Sequence, residues 1–194
     1  MLTAESRLAG FPALAGIAYL NTAAESIPPA CVPEVLAQYA RDKALGMRGR
    51  EAHNATLESC REVAARMVGL QTDEVSFCSC SSEAYNLLAN ALHLGPVDEV
   101  VITDLDFPAG ATPWLNAATP PRVHFWQAPN GSLDPNDLAA LLNDRTRLVQ
   151  VSLVSFYNGH RLDWAPFIAA VRQHAPRAKV AVDITQALGR IELD

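Results

Sequence analysis

Lysine and positive charge are scarce in this sequence. Lys43 and Lys179 are its only lysines in 194 residues, and 15 basic side chains stand against 21 acidic ones, for a net charge of −6 at pH 7. Nucleic-acid backbones and anionic membrane surfaces attract proteins of the opposite charge. The charge balance therefore predicts neither a nucleic-acid nor a membrane partner.

Cysteines and long apolar runs are scarce as well. The four cysteines have neither the paired spacing of a metal site nor the density of a disulfide framework. No apolar run reaches the length of a membrane span, and the N-terminus has no basic region followed by an apolar block. We therefore expect a cytoplasmic protein without a metal site. The thiols expected to be small, buried and reduced are Cys31, Cys60, Cys78 and Cys80.

Short apolar runs alternate with helical patterns along the chain. Hydrophobic residues make up 49% of the sequence and charged residues 19%, as in globular proteins. Predicted strands cover 18–21, 74–79, 99–103, 122–126, 148–154 and 179–182. Predicted helices cover 31–45, 56–68, 82–94, 109–118, 134–142 and 164–174, and a polar loop covers 46–54. This alternation requires crossover connections, so the expected fold class is α/β: a three-layer domain with a mainly parallel sheet and helices on both faces.

The end of the last predicted strand carries a lone carboxylate. Asp183 follows the apolar run Val180–Val182, and Gln186 comes three residues later. Open parallel sheets bind ligands beyond the carboxyl ends of their strands, so Asp183 is well placed to contact one. Asp183 equally fits the common role of capping a turn or a helix.

A serine-rich segment precedes the helix predicted from residue 82. Ser81 and Ser82 would lie at its N-terminus, where free backbone N–H groups and the helix dipole favour an anion such as phosphate. The sequence has no GxGxxG and no Walker lysine, so neither a dinucleotide nor a nucleoside triphosphate is indicated. A plain helix cap explains the same residues without a ligand.

Two further strand ends carry an aromatic ring and a hydroxyl group. Phe107 follows the strand at 99–103, and Ser155 follows the strand at 148–154. Phe107 could cover a flat ligand or simply belong to the core, and Ser155 could bind a ligand or only shape a turn. Taken together, the four strand ends indicate a site for one planar, anionic cofactor.

Four motifs in this order resemble the class V aminotransferase group of fold-type I pyridoxal-phosphate enzymes. That group includes cysteine desulfurases, selenocysteine lyases, kynureninases and isopenicillin N epimerase-like proteins. The motifs are YLNTAAESIPP, SCSSEAYNLLANAL, VSLVSFYNGHRLD and VDITQALGRIELD, and they extend over nearly the whole chain. The resemblance implies pyridoxal 5'-phosphate as cofactor, an amino acid as substrate and a homodimer.

The resemblance also implies roles for individual residues. Asp183 would pair with the protonated ring nitrogen, and Gln186 would bond the phenolic oxygen of the ring. Phe107 would stack on that ring. The phosphate would be held by Ser81 and Ser82, with Ser155 also among the cofactor-binding residues. Residues expected near the substrate or a dimer mate are Asn21, Arg48 and His53.

The sequence departs from this family pattern in two respects. Cysteine desulfurases have a histidine at the position of Phe107 and an asparagine at that of Phe156. A phenylalanine over the ring, as Phe107 would be, is more like kynureninases and the epimerase-like branch. The family also holds its cofactor as a Schiff base on a lysine beyond the aspartate, and neither Lys43 nor Lys179 matches that position.

We therefore expect part of a longer enzyme with aminotransferase, lyase or epimerase chemistry, and no turnover by this chain alone. Residues 1–30 would lead into an incomplete large domain at 31–194, and the Schiff-base lysine and the small C-terminal domain would lie beyond Asp194. Two alternatives stay open. One is a non-catalytic fragment or pseudoenzyme with an interaction role, and the other is an unrelated α/β domain for another phosphorylated ligand.

Overall fold

The computed structural model describes residues 3–22 and 24–193. Met1, Leu2, Ala23 and Asp194 lie outside the described residues; the last two fall within the first and last motifs quoted above. The chain forms two compact units, Met1–Phe77 and Cys78–Asp194, which are described separately. The domain boundary expected after residue 30 stays a prediction.

The first unit contains helices α1 (Ala4–Gly10), α2 (Val32–Ala44) and α3 (Arg50–Val68), with short 3₁₀ helices at Pro12–Leu14, Gly46–Gly49 and Thr72–Glu74. Helix α2 begins with a proline in its first turn, where the missing N–H costs no helical bond. Helix α3 ends at Gly69, whose φ of 70° is the left-handed conformation that glycine adopts without strain. The loop predicted at 46–54 is wrong, because these residues form a 3₁₀ helix and the start of α3.

Both strands predicted in the first unit are also absent. Residues 18–21 form no ladder, and Leu20 is 91% exposed. The first residue of the predicted strand at 74–79 instead ends the 3₁₀ helix Thr72–Glu74, and its carboxylate accepts the backbone N–H of Gln71 at 2.8 Å. A strand requires a neighbouring strand to pair its backbone groups, and neither segment has one among the described residues.

The helices of the first unit leave much apolar surface exposed. The described part of α2 buries no residue, and α3 buries Ala65 alone. The expectation of buried cysteines was wrong, since all four thiols are free and exposed. Cys31 directly precedes α2, Cys60 lies in α3, and the other two lie in the irregular segment before the next helix. No helix in the described parts of the chain is long and apolar enough to cross a membrane.

The second unit contains a four-stranded parallel sheet. Its strands are β1 (Glu99–Thr103), β2 (Arg122–Trp126), β3 (Thr146–Ser152) and β4 (Lys179–Asp183), in the order β2-β1-β3-β4. Its helices are α4 (Ser81–Leu92), α5 (Pro108–Leu115), α6 (Pro135–Leu141) and α7 (Trp164–His174). The α/β class and the parallel sheet predicted from the sequence are confirmed.

Helices cover both faces of this sheet. On one face, Phe167 of α7 and Leu138 of α6 are fully buried in a cluster with Val101 and Val149 of the sheet. On the other, Trp114 of α5 and partly buried residues of α4 pack on Val100, Ile102 and Leu148. All five residues of β1 are buried, as expected for a central strand covered on both sides.

The strand order places a topological switch point between β1 and β3. The chain leaves β1 toward β2 on one side and leaves β3 toward β4 on the other. Ligands of open α/β sheets bind where the connections diverge in this way, at the carboxyl ends of the strands. The segments that follow β1 and β3, and the end of β4, are therefore the place to look for a site.

Candidate functional site

Asp183 ends β4 and is anchored by two donors. Its register partner on β3 is Ser152. One carboxylate oxygen, Oδ1, accepts the backbone N–H of Thr185 at 2.8 Å, and the other, Oδ2, accepts the hydroxyl of Tyr85 at 3.1 Å. The bond to Thr185 is the turn-closing role that the sequence left open. The bond to Tyr85 joins Asp183 to helix α4.

Asp106 is a second carboxylate at the same edge of the sheet. Its Oδ1 accepts the hydroxyl of Ser152 at 2.8 Å, and its Oδ2 accepts the backbone N–H of Thr103 at 3.1 Å. Burial, together with a smaller effect from the nearby charge of Asp183, raises the pKa of Asp106 to about 6 in spite of these hydrogen bonds. Two carboxylates therefore share this edge, although the sequence drew attention to Asp183 alone.

Helix α4 begins at Ser81 without a side-chain cap. Cys80 is its N-cap residue and makes no capping hydrogen bond, so the alternative of a plain cap by Ser81 or Ser82 is not what forms. The Glu83 carboxylate instead accepts the backbone N–H and the hydroxyl of Ser79, at 2.7 and 2.6 Å. The backbone N–H of Glu83, followed by the Ser79 hydroxyl, lowers the pKa of the Cys80 thiol. This helix end therefore favours negative charge.

Phe107 and Phe156 form an aromatic pair beyond the ends of β1 and β3. Their ring centroids are 5.0 Å apart and their planes are inclined by 80°. The two rings are 49% and 45% exposed, so the alternative of a simple core residue does not describe Phe107. Half of each ring is available to another molecule.

Ser155 joins the segments that carry these two rings. Its buried hydroxyl donates to the carbonyl of Leu105 at 3.0 Å and accepts the backbone N–H of Tyr157 at 3.1 Å. Ser155 thereby holds the loop after β3 against the loop after β1. Its hydroxyl is engaged within the protein, and contact with a cofactor stays a prediction.

Gln186 follows Asp183 in the turn after β4. Its side chain is half-buried, and its amide has no hydrogen-bond partner among residues 3–22 and 24–193. The amide is therefore available to a ligand, as its expected role requires.

Gly110 lets Tyr85 and Gln150 approach the start of α5. A Cβ at this position would lie inside van der Waals contact of the Gln150 Nε2 and 3.3 Å from Cζ of Tyr85. Gln150 cannot easily move, because it is fully buried and its Oε1 accepts the indole N–H of Trp114 at 3.1 Å. No other residue type fits here without displacing the residues beneath the site.

Replacing Gly110 by alanine is therefore expected to lower the free energy of unfolding by about 1–3 kcal/mol, the usual cost of overpacking. Urea unfolding followed by tryptophan fluorescence measures it. The matched control is Gly95→Ala, because no heavy atom lies within 4 Å of a Cβ there. We expect the control to change stability by less than about 0.5 kcal/mol. Equal effects of the two variants would contradict the crowding inferred at Gly110.

The three candidate substrate residues belong to the first unit. Asn21 is exposed in an irregular segment, and Arg48 is exposed in the 3₁₀ helix that precedes α3. His53 of α3 stacks on Tyr39 of α2, with ring centroids 4.6 Å apart. Their roles toward a substrate stay predictions.

Sequence reasoning missed Tyr85 and Asp106 as members of the site. Asp106 could have been found, because it follows β1 just as Asp183 follows β4. Tyr85 lies within the second motif, but that motif implied no role for it, and it lies 98 positions from Asp183. Only the packing of α4 on the sheet brings Tyr85 and Asp183 together.

These features define an α/β protein with a candidate ligand site at the carboxyl edge of a parallel sheet, built from a helix N-terminus, an aromatic pair and an anchored carboxylate. The chain belongs to the aminotransferase class-V family, whose model matches residues 18–194. This finding confirms the resemblance drawn from the four motifs.

Several curated relatives carry matching names. A cysteine desulfurase of Pectobacterium carotovorum is 33% identical over 165 residues, which are 76% of this chain and 40% of the relative. A cysteine desulfurase of Salmonella gallinarum is 31% identical over 184 residues, covering 89% of this chain and 45% of the relative. An aminotransferase-like protein of Gibberella zeae is 32% identical over 134 residues, which are 66% of this chain and 33% of that protein. The chain thus spans less than half the length of these relatives.

Solved structures share the fold. A C-DES mutant with glycine covalently linked to its PLP cofactor superposes with a TM-score of 0.87 at 22% identity, over 96% of this chain and 51% of that one. The cysteine desulfurase CsdA of Escherichia coli gives a TM-score of 0.77 at 21% identity, over 97% of this chain and 50% of the other. These matches confirm the three-layer α/β fold.

Proposed function

We propose that this chain is the cofactor-binding part of a pyridoxal-phosphate enzyme that acts on an amino acid. The observation that carries the proposal is the placement of Asp183, anchored at the end of β4 and bonded to Tyr85 in helix α4. Tyr85 is one helical turn beyond Ser81, so its bond to Asp183 brings the carboxylate close to the N-terminus of α4. This proximity supports the proposal of one cofactor whose phosphate binds at the helix and whose ring nitrogen binds at Asp183.

The N-terminus of α4 would hold the cofactor's phosphate. Its first-turn N–H groups have no side-chain cap, and the hydroxyl groups of Ser81 and Ser82 are exposed beside them. Free N–H groups and the helix dipole are the usual means by which proteins bind phosphate without a lysine. The residues present therefore fit a phosphate monoester.

Asp183, Phe107 and Gln186 would orient the pyridine ring. Each oxygen of Asp183 accepts one hydrogen bond from the protein, which leaves a lone pair for a protonated ring nitrogen. Phe107 offers half of its ring for stacking, and the Gln186 amide can donate to the phenolic oxygen. When bound, the protonated ring withdraws electrons from bonds at the α-carbon of an amino acid. The role of Asp183 is to keep the proton on the ring nitrogen.

The substrate we propose to test first is cysteine, because the names of two relatives specify cysteine desulfurases. The candidate reactions are lyase, aminotransferase and epimerase chemistry. We further propose that the intact protein supplies the cofactor-binding lysine outside this sequence and works as a cytoplasmic homodimer. Sedimentation velocity on the intact protein tests the dimer.

A binding titration tests the cofactor. We expect this chain to bind pyridoxal phosphate about tenfold more tightly than pyridoxal, because a phosphate at an uncapped helix N-terminus gains a charge-assisted bond. Equilibrium dialysis with detection by visible absorption measures both affinities. Equal affinities would contradict the phosphate site at α4, and no binding of either compound would contradict the proposed cofactor.

A further inference from the structure

Tyr85 contacts the candidate site through its bond to Asp183, and the function proposed above gives it no role of its own. It lies in the second turn of α4, on the half-buried side of the helix, and its hydroxyl donates to Asp183 Oδ2 at 3.1 Å. The Tyr85 ring also lies against the backbone at Gly110, where a Cβ would be 3.3 Å from its Cζ. Neighbours on two elements thus hold the tyrosine in place.

The hydroxyl of Tyr85 stays protonated and so remains a hydrogen-bond donor. Burial, followed by the negative charges of Asp183 and Asp106, raises the pKa of Tyr85 far above its ordinary value. The hydroxyl therefore keeps its proton at any pH at which proteins are usually studied. A neutral donor beside a carboxylate satisfies one lone pair and leaves the negative charge in place.

Asp106 does not accept this donor, because the Tyr85 hydroxyl donates to Asp183. The oxygens of Asp106 accept the Ser152 hydroxyl and the Thr103 backbone N–H instead. The Asp183 carboxylate in turn has one donor for each oxygen, the Thr185 backbone N–H on Oδ1 and Tyr85 on Oδ2. The two bonds restrict rotation of the carboxylate about its χ2 angle.

We propose that Tyr85 is a positioning residue that orients Asp183 toward the ring nitrogen and ties that carboxylate to the helix that would bind the phosphate. The proposal rests on the proposed function, since it assigns Tyr85 a role at the same site. Without the phenol, Oδ2 loses its donor and the carboxylate is held by Thr185 alone. Tyr85 acts through Asp183 and need not contact the cofactor.

Two ligands distinguish a positioning role of Tyr85 from a general effect of the substitution on the stability of the protein. Pyridoxal phosphate and its carbocyclic analogue, which has a C–H in place of the ring nitrogen, differ at the one atom that Asp183 would contact. We expect the unaltered chain to prefer pyridoxal phosphate. In Tyr85→Phe this preference should fall by about three- to tenfold, the worth of one hydrogen bond, while the affinity for the analogue is unchanged. Equilibrium dialysis measures all four affinities.

The matched control is Tyr157→Phe, which removes a hydroxyl from an exposed tyrosine in the loop after β3. It should leave the preference unchanged. Equal weakening of both ligands in Tyr85→Phe would show a merely structural role and overturn the proposal, as would an unchanged preference.

A measurement without any ligand distinguishes failure of this inference from failure of the proposed cofactor. The carboxyl carbon resonance of Asp183 in ¹³C-labelled protein should move in Tyr85→Phe and stay in place in Tyr157→Phe. An unmoved resonance in Tyr85→Phe overturns the positioning role, whatever binds. A moved resonance with no preference for pyridoxal phosphate in the unaltered chain supports the Tyr85–Asp183 bond and overturns the proposed ring site.

Discussion

Replacing Glu99 by alanine is expected to lower the free energy of unfolding by about 1.5–3 kcal/mol, because hydrogen bonds to a buried carboxylate are lost. Glu99 is only 2% exposed at the start of β1. Its Oε1 accepts Arg145 at 2.7 Å, and its Oε2 accepts Asn143 at 2.7 Å and lies 2.9 Å from His124 Nε2. The alanine leaves these three groups without their shared acceptor and opens a cavity in the central strand.

Urea unfolding followed by tryptophan fluorescence measures this loss, because all three tryptophans lie in the second unit. The control is Arg147→Ala, which breaks the pair of Arg147 with Asp98 at the same edge of the sheet, where the carboxylate is less buried than that of Glu99. Surface pairs contribute about 0–1 kcal/mol, so this variant should cost much less. Similar losses in the two variants would contradict the central role of Glu99.

The same cluster predicts a pH dependence of stability. Burial alone would raise the pKa of Glu99, but hydrogen bonds from Asn143, Arg145 and His124 outweigh it and lower the pKa to about 2. The pKa in the folded state is thus below the value of about 4.3 in an unfolded chain. Stability from this group is complete above that unfolded value and is lost as the pH falls toward 2. Glu99→Gln should remove this part of the acid sensitivity; an unchanged acid profile would contradict it.

Replacing Asp183 by asparagine is expected to weaken binding of pyridoxal phosphate by about 10- to 100-fold. Hydrogen bonds to a charged partner contribute about 1.5–3 kcal/mol, and each 1.4 kcal/mol is tenfold in affinity. Asparagine has nearly the same shape and can still accept one of the two bonds from Thr185 and Tyr85. The loss therefore reports the negative charge at the ring nitrogen, and equilibrium dialysis measures it.

The control for Asp183 is Asp104→Asn. Asp104 follows β1 at the same edge of the sheet, and its carboxylate accepts the backbone N–H of Ala128 at 3.0 and 3.2 Å. It has no assigned contact with the ligand, so its replacement should change the affinity by less than about twofold. An Asp183→Asn variant that binds as the unaltered chain does would refute the assigned role of Asp183.

Local patterns predicted the second unit well. The strands at 99–103 and 122–126 and the helix at 164–174 were placed to the residue, and β4 was extended by Asp183 alone. In these segments, apolar residues recur with the spacing and over the length typical of a strand or a helix, and turn residues follow at their ends. The folded sheet buries the apolar residues of that pattern. Asp183 was found for the same reason, since a polar residue at the end of a buried strand faces the edge where ligands bind.

The first unit shows where local patterns fail. The segment at 74–79 has strand-like residues, yet Glu74 bonds to Gln71 and no strand is available as a neighbour among the described residues. The cysteines were expected to be buried because of their residue type, whereas all four are exposed. Burial is a property of what packs on a residue, and periodicity alone does not specify it.

The sequence by itself determined the alternation of strands and helices, the family and the polar residues at the strand ends, because each depends on neighbours along the chain. The tertiary structure decided which of those residues meet. Asp183 is bonded to Tyr85, 98 positions away, and Asp106 to Ser152, 46 positions away. Such contacts depend on strand order and on the packing of α4 against the sheet, and they set the pKa of Asp106 and the orientation of Asp183 through distances that no local pattern contains.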